Sequence, residues 1–107
     1  MKRVFFLFAT LALLALHACT IGPSNPPPVS PAVIASGVQN HATEQKLTFG
    51  RSLFVQRCIQ CHALPEIRAH SAEDWPKLIS EMADRAKLKA KEKEAVLAYL
   101  LAARSTL

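Results

Sequence analysis

The clearest chemistry in this 107-residue chain lies in five consecutive residues, Cys58-Ile59-Gln60-Cys61-His62. A thiol is a nucleophile and a metal ligand, and an imidazole is a common ligand of iron. One helical turn brings positions i and i+3 to the same side, so two thiols can reach neighbouring edges of one planar ring while the next residue reaches under its centre. This pattern is typical of covalent c-type haem attachment. We therefore expect one haem c, held by Cys58, Cys61 and His62, with His62 as a ligand of the iron.

The residue on the opposite side of the iron is less clearly marked. After the predicted signal peptide (residues 1–18), Met82 is the only methionine, and His41 and His70 are the histidines outside the motif. Met82 lies on an i, i+3, i+4, i+7 stripe that consists of Trp75, Leu78, Ile79 and Met82. Such a methionine is often ordinary core filler. On this pattern alone, ligation by Met82, ligation by His70 and a vacant position all stay open.

Helical periodicity surrounds the motif on both sides. Upstream, apolar or small residues recur at three- and four-residue spacing at Leu47, Gly50, Leu53 and Phe54. Downstream, a segment rich in good helix formers has a second stripe at Val96, Leu97, Leu100 and Leu101. We therefore expect an all-α domain of three to four helices over residues 43–107, packed around one covalent haem.

The sequence marks the start of the penultimate predicted helix clearly, but not the break before the last one. Ser71, with Asp74 three residues on, resembles a capping box, and Pro76 indicates a helix start near Asp74 because proline is tolerated in a first turn. No glycine or capping Ser or Thr marks the break before the last helix. Across that region the apolar stripe fades and basic residues accumulate at Arg85, Lys87, Lys89, Lys91 and Lys93. These predict a solvated face or, alternatively, a docking patch for acidic redox partners.

Gly50 is unusual because glycine inside a helix costs up to about 1 kcal/mol relative to alanine. Close approach of a second helix would explain it. Together with the Cys58-to-His62 motif, this feature resembles the class I cytochrome c family, whose first and last helices cross at a glycine and an aromatic pair. The resemblance covers about 60% of the chain. It implies that Gly50 and Phe54 meet Tyr99 and Leu100.

The resemblance also implies roles for individual residues. Small c-type domains in which a Trp is followed seven residues later by the ligand methionine look similar to Trp75 and Met82, which favours Met82 as the second iron ligand. In related cytochromes the carbonyl of a proline soon after the haem histidine accepts its ring N–H, a role that falls to Pro65. The implied function is outer-sphere electron transfer between Fe(III) and Fe(II), without enzymatic activity.

The N-terminus predicts export. Lys2 and Arg3 precede a mainly apolar run of 13 residues from Val4 to Leu16, whereas a membrane-spanning helix needs about 20. We interpret residues 1–18 as a signal peptide; a retained membrane anchor is the alternative. Removal of the segment lowers the formal net charge from +5 to +3. No basic-aromatic pattern or groove-reading motif indicates binding to nucleic acid.

Cys19 follows a sequence that resembles a bacterial lipobox, Leu16-His17-Ala18-Cys19, although His17 is an unusual residue at its position. We expect Cys19 to be lipidated, which would also explain a third cysteine beside the two in the haem motif. The alternative is an ordinary signal peptide with a free or intermolecular cysteine. The prediction is thus a periplasmic protein anchored by lipid to a bacterial membrane, with the outer membrane slightly favoured because Thr20 follows the cysteine.

Residues 19–42 are predicted to be a tether. The stretch 20–42 has no charged residue and contains five of the seven prolines, so we expect an extended backbone. Such a segment spans about 25 Å as a flexible coil and about 70 Å if fully extended as polyproline II. It would let the domain search for partners or only hold it away from the lipid. The apolar residues 32–34 could still pack on the domain.

Other functions fit the residues less well. A thioredoxin-like site needs a βαβ context, and structural zinc needs four ligands at other spacings. A haem sensor of carbon monoxide or nitric oxide, with an open iron position, is the principal alternative. An electron-accepting subunit of a periplasmic dehydrogenase is a further one. The partner proteins that donate and accept the electron are not indicated by the sequence.

Overall fold

Four α-helices form the framework of the domain. The computed structural model describes residues 25–107, in which the helices are α1 (Pro31–Gln39), α2 (Glu44–Arg57), α3 (Trp75–Ala86) and α4 (Ala90–Arg104). Two short 3-10 turns, Cys58–Gln60 and Ile67–Ala69, lie between α2 and α3. These residues are 67% helical and include no strand, which confirms the expected all-α class. The predicted signal peptide (1–18) and Cys19 lie outside the described residues.

The core is organised around the crossing of α2 and α4, which make the most extensive contact of any two helices in the described region. Gly50 is buried there, and a Cβ atom at this position would collide with the carbonyl oxygen of Ala95. The rings of Phe54 and Tyr99 lie 6.3 Å apart and are tilted by 46°. The close approach and the aromatic pair are therefore confirmed, although Gly50 meets the backbone of Ala95 and Val96 rather than Tyr99.

The apolar stripes of the sequence become the buried helix faces, with some additions. All four predicted residues of α2 are buried. On α4, Val96 and Leu100 are buried as expected, while Leu97 and Leu101 are only half-buried. Alanines and an aromatic residue complete the buried face of α4, namely Ala95, Tyr99, Ala102 and Ala103. Small residues thus widen the buried face of α4 because α2 lies close against it.

Helix α1 lies in the segment predicted to be extended. The extended backbone predicted for residues 20–42 is wrong for residues 31–39, which are helical. The Ser30 side chain accepts a hydrogen bond from the Val33 N–H at 3.3 Å, and Pro31 occupies the first turn, where its fixed φ suits a helix. Val33 is 1% exposed, and Gly37 packs against Leu47 of α2. Packing against the rest of the domain thus begins before residue 43.

The start of α3 follows its capping residues. Ser71 Oγ accepts from the Asp74 N–H at 3.1 Å and donates to Asp74 Oδ2 at 2.8 Å, while the Ser71 N–H also reaches Oδ2 at 3.3 Å. These bonds hold the pKa of the exposed Asp74 carboxyl below its usual value. The helix begins at Trp75, as the position of Pro76 indicated.

The break between α3 and α4 occurs at a lysine. Lys87 adopts a left-handed conformation, with φ 55° and ψ 42°, and the Leu88 N–H then returns to the Ala83 carbonyl at 2.9 Å. Lys89 resumes an extended backbone, and the Glu92 carboxylate accepts its N–H at 2.7 Å. Capping hydrogen bonds therefore end α3 and begin α4, although lysine is not a usual capping residue at either position.

Candidate cofactor site

Cys58, His62 and Met82 line one cavity of about 160 Å³. It lies between the segment that follows α2 and one face of α3. The remaining residues around it are mainly apolar or aromatic: Phe54, Pro65, His70, Trp75, Leu78 and Ile79. Three of the four predicted cofactor-binding residues are thus brought together. The fourth, Cys61, is exposed.

The two cysteines are positioned by the end of α2. The Cys58 N–H continues the helical bonding to the Phe54 carbonyl, and the following 3-10 turn leads to Cys61, whose N–H approaches the Cys58 carbonyl at 3.5 Å. Both are free thiols, and burial, followed by the proximity of Cys61, raises the pKa of Cys58. A redox dithiol works through a cysteine of lowered pKa, so this environment does not favour thioredoxin-like chemistry.

The His62 ring is held by its own neighbour. Its Nδ1 lies 2.7 Å from the Ala63 carbonyl oxygen. Because a carbonyl only accepts, this hydrogen bond requires the proton on Nδ1 and leaves the lone pair on Nε2, the nitrogen that would face a metal. The expected acceptor, Pro65, is wrong for this structure: Pro65 lines the cavity, while the nearer Ala63 carbonyl takes the hydrogen bond.

Both candidates for the second ligand lie at the same cavity. Met82 and His70 each contribute to its lining and each is half-buried. The His70 ring meets the Trp75 indole edge-on, with centroids 5.1 Å apart at 79°, and the His70 carbonyl accepts from Arg104 Nε at 2.7 Å. Met82 lies two turns along α3 from Trp75, on the face predicted from the stripe. The lining alone therefore leaves ligation by Met82 and by His70 open.

Two hydrogen bonds that the sequence did not reveal join the walls of the cavity. The buried Trp75 Nε1–H donates to the Ile67 carbonyl at 3.2 Å, which fixes the indole against the connection between α2 and α3. Arg57, directly before Cys58, donates through Nη2 to the Ala86 carbonyl at 2.8 Å, at the C-terminal end of α3. A cation is favourable at a helix C-terminus. The segment with the cysteines and the helix with Met82 are therefore tied together.

The donor set fits a covalently attached haem. One thiol, an imidazole with a free Nε2 and a thioether line an apolar, aromatic cavity, and the second thiol, Cys61, is exposed three residues after Cys58. These are the donors that iron ligation and thioether attachment require. The enclosed volume is below the 300–1,000 Å³ or so of typical small-molecule sites, and His62 is also exposed, so part of the donor set lies at the surface of the domain.

The predicted basic face is largely in solvent. Four of its five members are exposed: Arg85, Lys87, Lys89 and Lys91. Lys93 instead donates to Ser80 Oγ at 2.6 Å and joins α4 to α3. Acidic residues at positions 81, 84, 92 and 94 lie among them in the sequence, so the surface is of mixed charge.

Comparisons with protein-family models, curated proteins and solved structures found no match for the chain. Within residues 25–107, no helix is both long and apolar enough to cross a membrane.

Proposed function

We propose that this protein is a c-type cytochrome that carries one covalent haem, similar to a small class I cytochrome c. Its function would be electron transfer in the periplasm, from a lipid anchor at Cys19. The observation that carries the proposal is the common cavity of Cys58, His62 and Met82, because residues 24 positions apart in sequence converge on one apolar site. No enzymatic step is part of the proposal.

Each of the four predicted haem-binding residues would have a distinct role. Cys58 and Cys61 would form the two thioether bonds, His62 would bind iron through Nε2, and Met82 would bind from the opposite side. Haem c supplies a reversible one-electron change between Fe(III) and Fe(II), and a thioether ligand favours the ferrous form. The Ala63 carbonyl fixes the orientation of the imidazole.

The surrounding residues exclude water and keep the ligands in place. Trp75 and Ile79 are 2% and 3% exposed, so the inner wall of the cavity is dry. Arg57 and the Trp75 indole hold the two ligand-bearing segments at a fixed separation. Cys61 is exposed, so electrons would enter or leave on the side of the domain that carries the two cysteines.

Spectroscopy of the haem-loaded protein tests ligation. After expression with a haem c maturation system, the ferric spectrum should show the Fe–S(Met) charge-transfer band, and Met82→Ala should abolish it. His70→Ala is the matched control, since His70 lines the same cavity, and it should retain the band. Loss of the band in the His70 variant with retention in the Met82 variant would overturn the assignment of Met82.

Covalent attachment and ligand access provide the second part of the test. Haem should stay with the polypeptide under denaturing conditions and be lost in Cys58→Ala/Cys61→Ala. Rapid binding of carbon monoxide by the unmutated ferrous protein would instead favour a gas sensor with an open iron position. A protein that binds no haem at all would contradict both functions.

A further inference from the structure

The proline-rich segment before α1 is fastened to the helix crossing. Arg51 of α2 donates from Nη2 to the Pro26 carbonyl and from Nε to the Pro27 carbonyl, both at 3.0 Å. The Tyr99 hydroxyl of α4 also donates to the Pro27 carbonyl, at 2.7 Å. Pro26 is buried. We call residues 26–28 the proline strap; one arginine and one tyrosine, on different helices, hold it.

The chemistry of the proline strap suits this attachment. Proline has no backbone N–H, so the segment offers carbonyl acceptors without leaving donors to be satisfied, and its fixed φ lowers the entropy lost on docking. Hydrogen bonds from a charged guanidinium are stronger than those between neutral groups. Burial raises the pKa of Tyr99 to about 12, so its hydroxyl keeps its proton and donates throughout the physiological range.

Docking of the proline strap shortens the free tether. If residues 19–42 were all extended, the lipid on Cys19 and the domain could be about 70 Å apart. With Pro26 docked, six residues, 20–25, separate Cys19 from the proline strap. The seven Cα-to-Cα steps from Cys19 to Pro26 span at most about 25 Å. Relative to the extended tether predicted from the sequence, α1 and the proline strap together reduce the reach about threefold.

The place where the tether leaves the domain is also defined. Asn25 and Pro26 line a surface cavity of about 340 Å³ together with Pro65, Arg68 and Leu107. This surface lies beside the connection that follows His62 and beside the end of α4. The short tether thus starts from one particular face of the domain.

We propose that the proline strap holds the domain against the lipid surface that carries Cys19, within about 25 Å, with the face formed by residues 65–68 and Leu107 toward the lipid. This inference rests on the proposed lipid anchor and goes beyond it, since a lipidated protein whose segment before α1 was undocked would sample a larger volume. Its redox partner must then come to the membrane surface.

The test uses the full-length lipidated, haem-loaded protein in vesicles of phosphatidylethanolamine and phosphatidylglycerol. A donor fluorophore is attached after Leu107 and an acceptor fluorophore is placed on lipid headgroups. Strong energy transfer is expected for the unmutated protein. An insertion of twenty Gly and Ser residues between Asn25 and Pro26, which leaves every contact of the proline strap intact, should lower the transfer severalfold. Equal transfer in both proteins would overturn the proposal.

Release of the proline strap gives an independent result. Arg51→Ala/Tyr99→Phe removes all three donors and should lower energy transfer at least twofold, while Arg85→Ala, at an exposed arginine of α3, should leave it unchanged. Cleavage by proteinase K within residues 25–30 should accelerate at least tenfold in the double variant only. Unchanged transfer and cleavage in that variant would contradict a docked strap.

The outcomes separate this inference from the proposed function. Haem content is read by absorbance, and membrane attachment by sedimentation with the vesicles. Loss of haem with normal energy transfer would contradict electron transfer but leave the proline strap supported. Failure to sediment would overturn the anchor and the membrane proximity, whereas the cleavage rates would still report whether the proline strap is docked.

Discussion

The crossing of α2 and α4 differs in packing from the candidate cofactor side, by which we mean the cavity between the end of α2 and α3. At the crossing, protein atoms fill all the space: Gly50 lies against the Ala95 carbonyl, and Tyr99 and Leu100 are fully buried. On the cofactor side, the cavity is lined by half-buried Cys58 and Met82, and exposed His62 forms part of its edge. The crossing leaves no space between its two helices, while the candidate cofactor side keeps a cavity whose inner wall is buried and whose edge is exposed.

The stability of the two regions should therefore depend on different interactions. Close packing at the crossing depends on the shape of individual side chains and tolerates little added volume. Under the proposed function, the cavity would be filled by a covalently bound haem, which the polypeptide does not itself supply. A domain of about 80 residues has a limited core, so an unfilled cavity on one side should weaken the whole fold.

The largest effect is expected from removal of the covalent attachment. Cys58→Ala/Cys61→Ala should lack haem and be largely unfolded, because the cavity then loses the group proposed to fill it. Circular dichroism during thermal unfolding is the measurement. The control Ile59→Ala/Gln60→Ala changes two exposed residues of the same turn and should unfold cooperatively. A cooperative transition in the cysteine variant would show that the crossing alone suffices to maintain the fold.

A smaller loss is expected at the crossing itself. Gly50→Ala places a Cβ on the Ala95 carbonyl oxygen and should lower the free energy of unfolding by about 3 kcal/mol, since the backbones must separate. Urea unfolding of the haem-loaded protein measures it. Thr48→Ala, at an exposed position of α2, should change it by less than about 0.5 kcal/mol. Equal stability of the two variants would mean that α2 and α4 can shift without cost.

Sequence patterns predicted the crossing better than the cofactor side. The buried face of α2 follows directly from its apolar period, and Gly50 was informative because it opposes helix propensity. Contacts that join distant segments were not visible: Arg51 finds the Pro27 carbonyl 24 residues away, and nothing in its surroundings in the sequence marks that partner. The acceptor for His62 was assigned by resemblance, whereas the local backbone brings the Ala63 carbonyl closer.

One wrong helix boundary and one that the sequence did not mark have physical causes. The proline content of residues 20–42 outweighed the start signal at Ser30 and Pro31, although both residues suit the first turn of a helix. The end of α3 gave no signal because Lys87 adopts a conformation that glycine or asparagine usually occupies. There the requirement that α4 return along α2 overrides the local preference of the residue.

The hydrogen bonds at the start of α3, on the cofactor side, should stabilise the fold in a pH-dependent way. Ser71→Ala should lower the free energy of unfolding near neutral pH, because it removes the hydroxyl that bonds the Asp74 N–H and carboxylate. The Asp74 pKa is lowered in the folded state, so its bonds with Ser71 stabilise the fold above the ordinary carboxyl pKa of 3.8 and are lost as pH falls through the lower folded value.

Urea unfolding at several pH values measures this effect. The difference between Ser71→Ala and the unmutated protein should shrink below about pH 4. Thr48→Ala, at an exposed position of α2, is the control and should show no such dependence on pH. A pH-independent difference for the Ser71 variant would show that the serine hydroxyl acts without the Asp74 carboxylate.

The smallest effect is a gain. Lys87→Gly should raise the free energy of unfolding by up to about 1 kcal/mol, because the left-handed conformation disfavours a Cβ atom but not glycine. Thermal unfolding should show an increase of at most about 4–8 °C. Lys89→Gly is the matched control, since Lys89 has an extended backbone with φ −71°, and it should give no gain. A gain at Lys89 and none at Lys87 would contradict a cost at the left-handed residue.

Under the proposed function, the hydrogen bond from Arg57 to the Ala86 carbonyl would affect the rate of electron exchange. A carrier that changes charge must reorganise little, or each transfer is slowed by the motion of its own ligands. Under the proposed function, His62 and Met82 belong to two separate segments, which would otherwise be free to drift apart or together with the charge of the iron. The guanidinium beside Cys58 fastens one segment to the end of the other. The two ligands would then move as one body, so reduction and oxidation would start from nearly the same geometry.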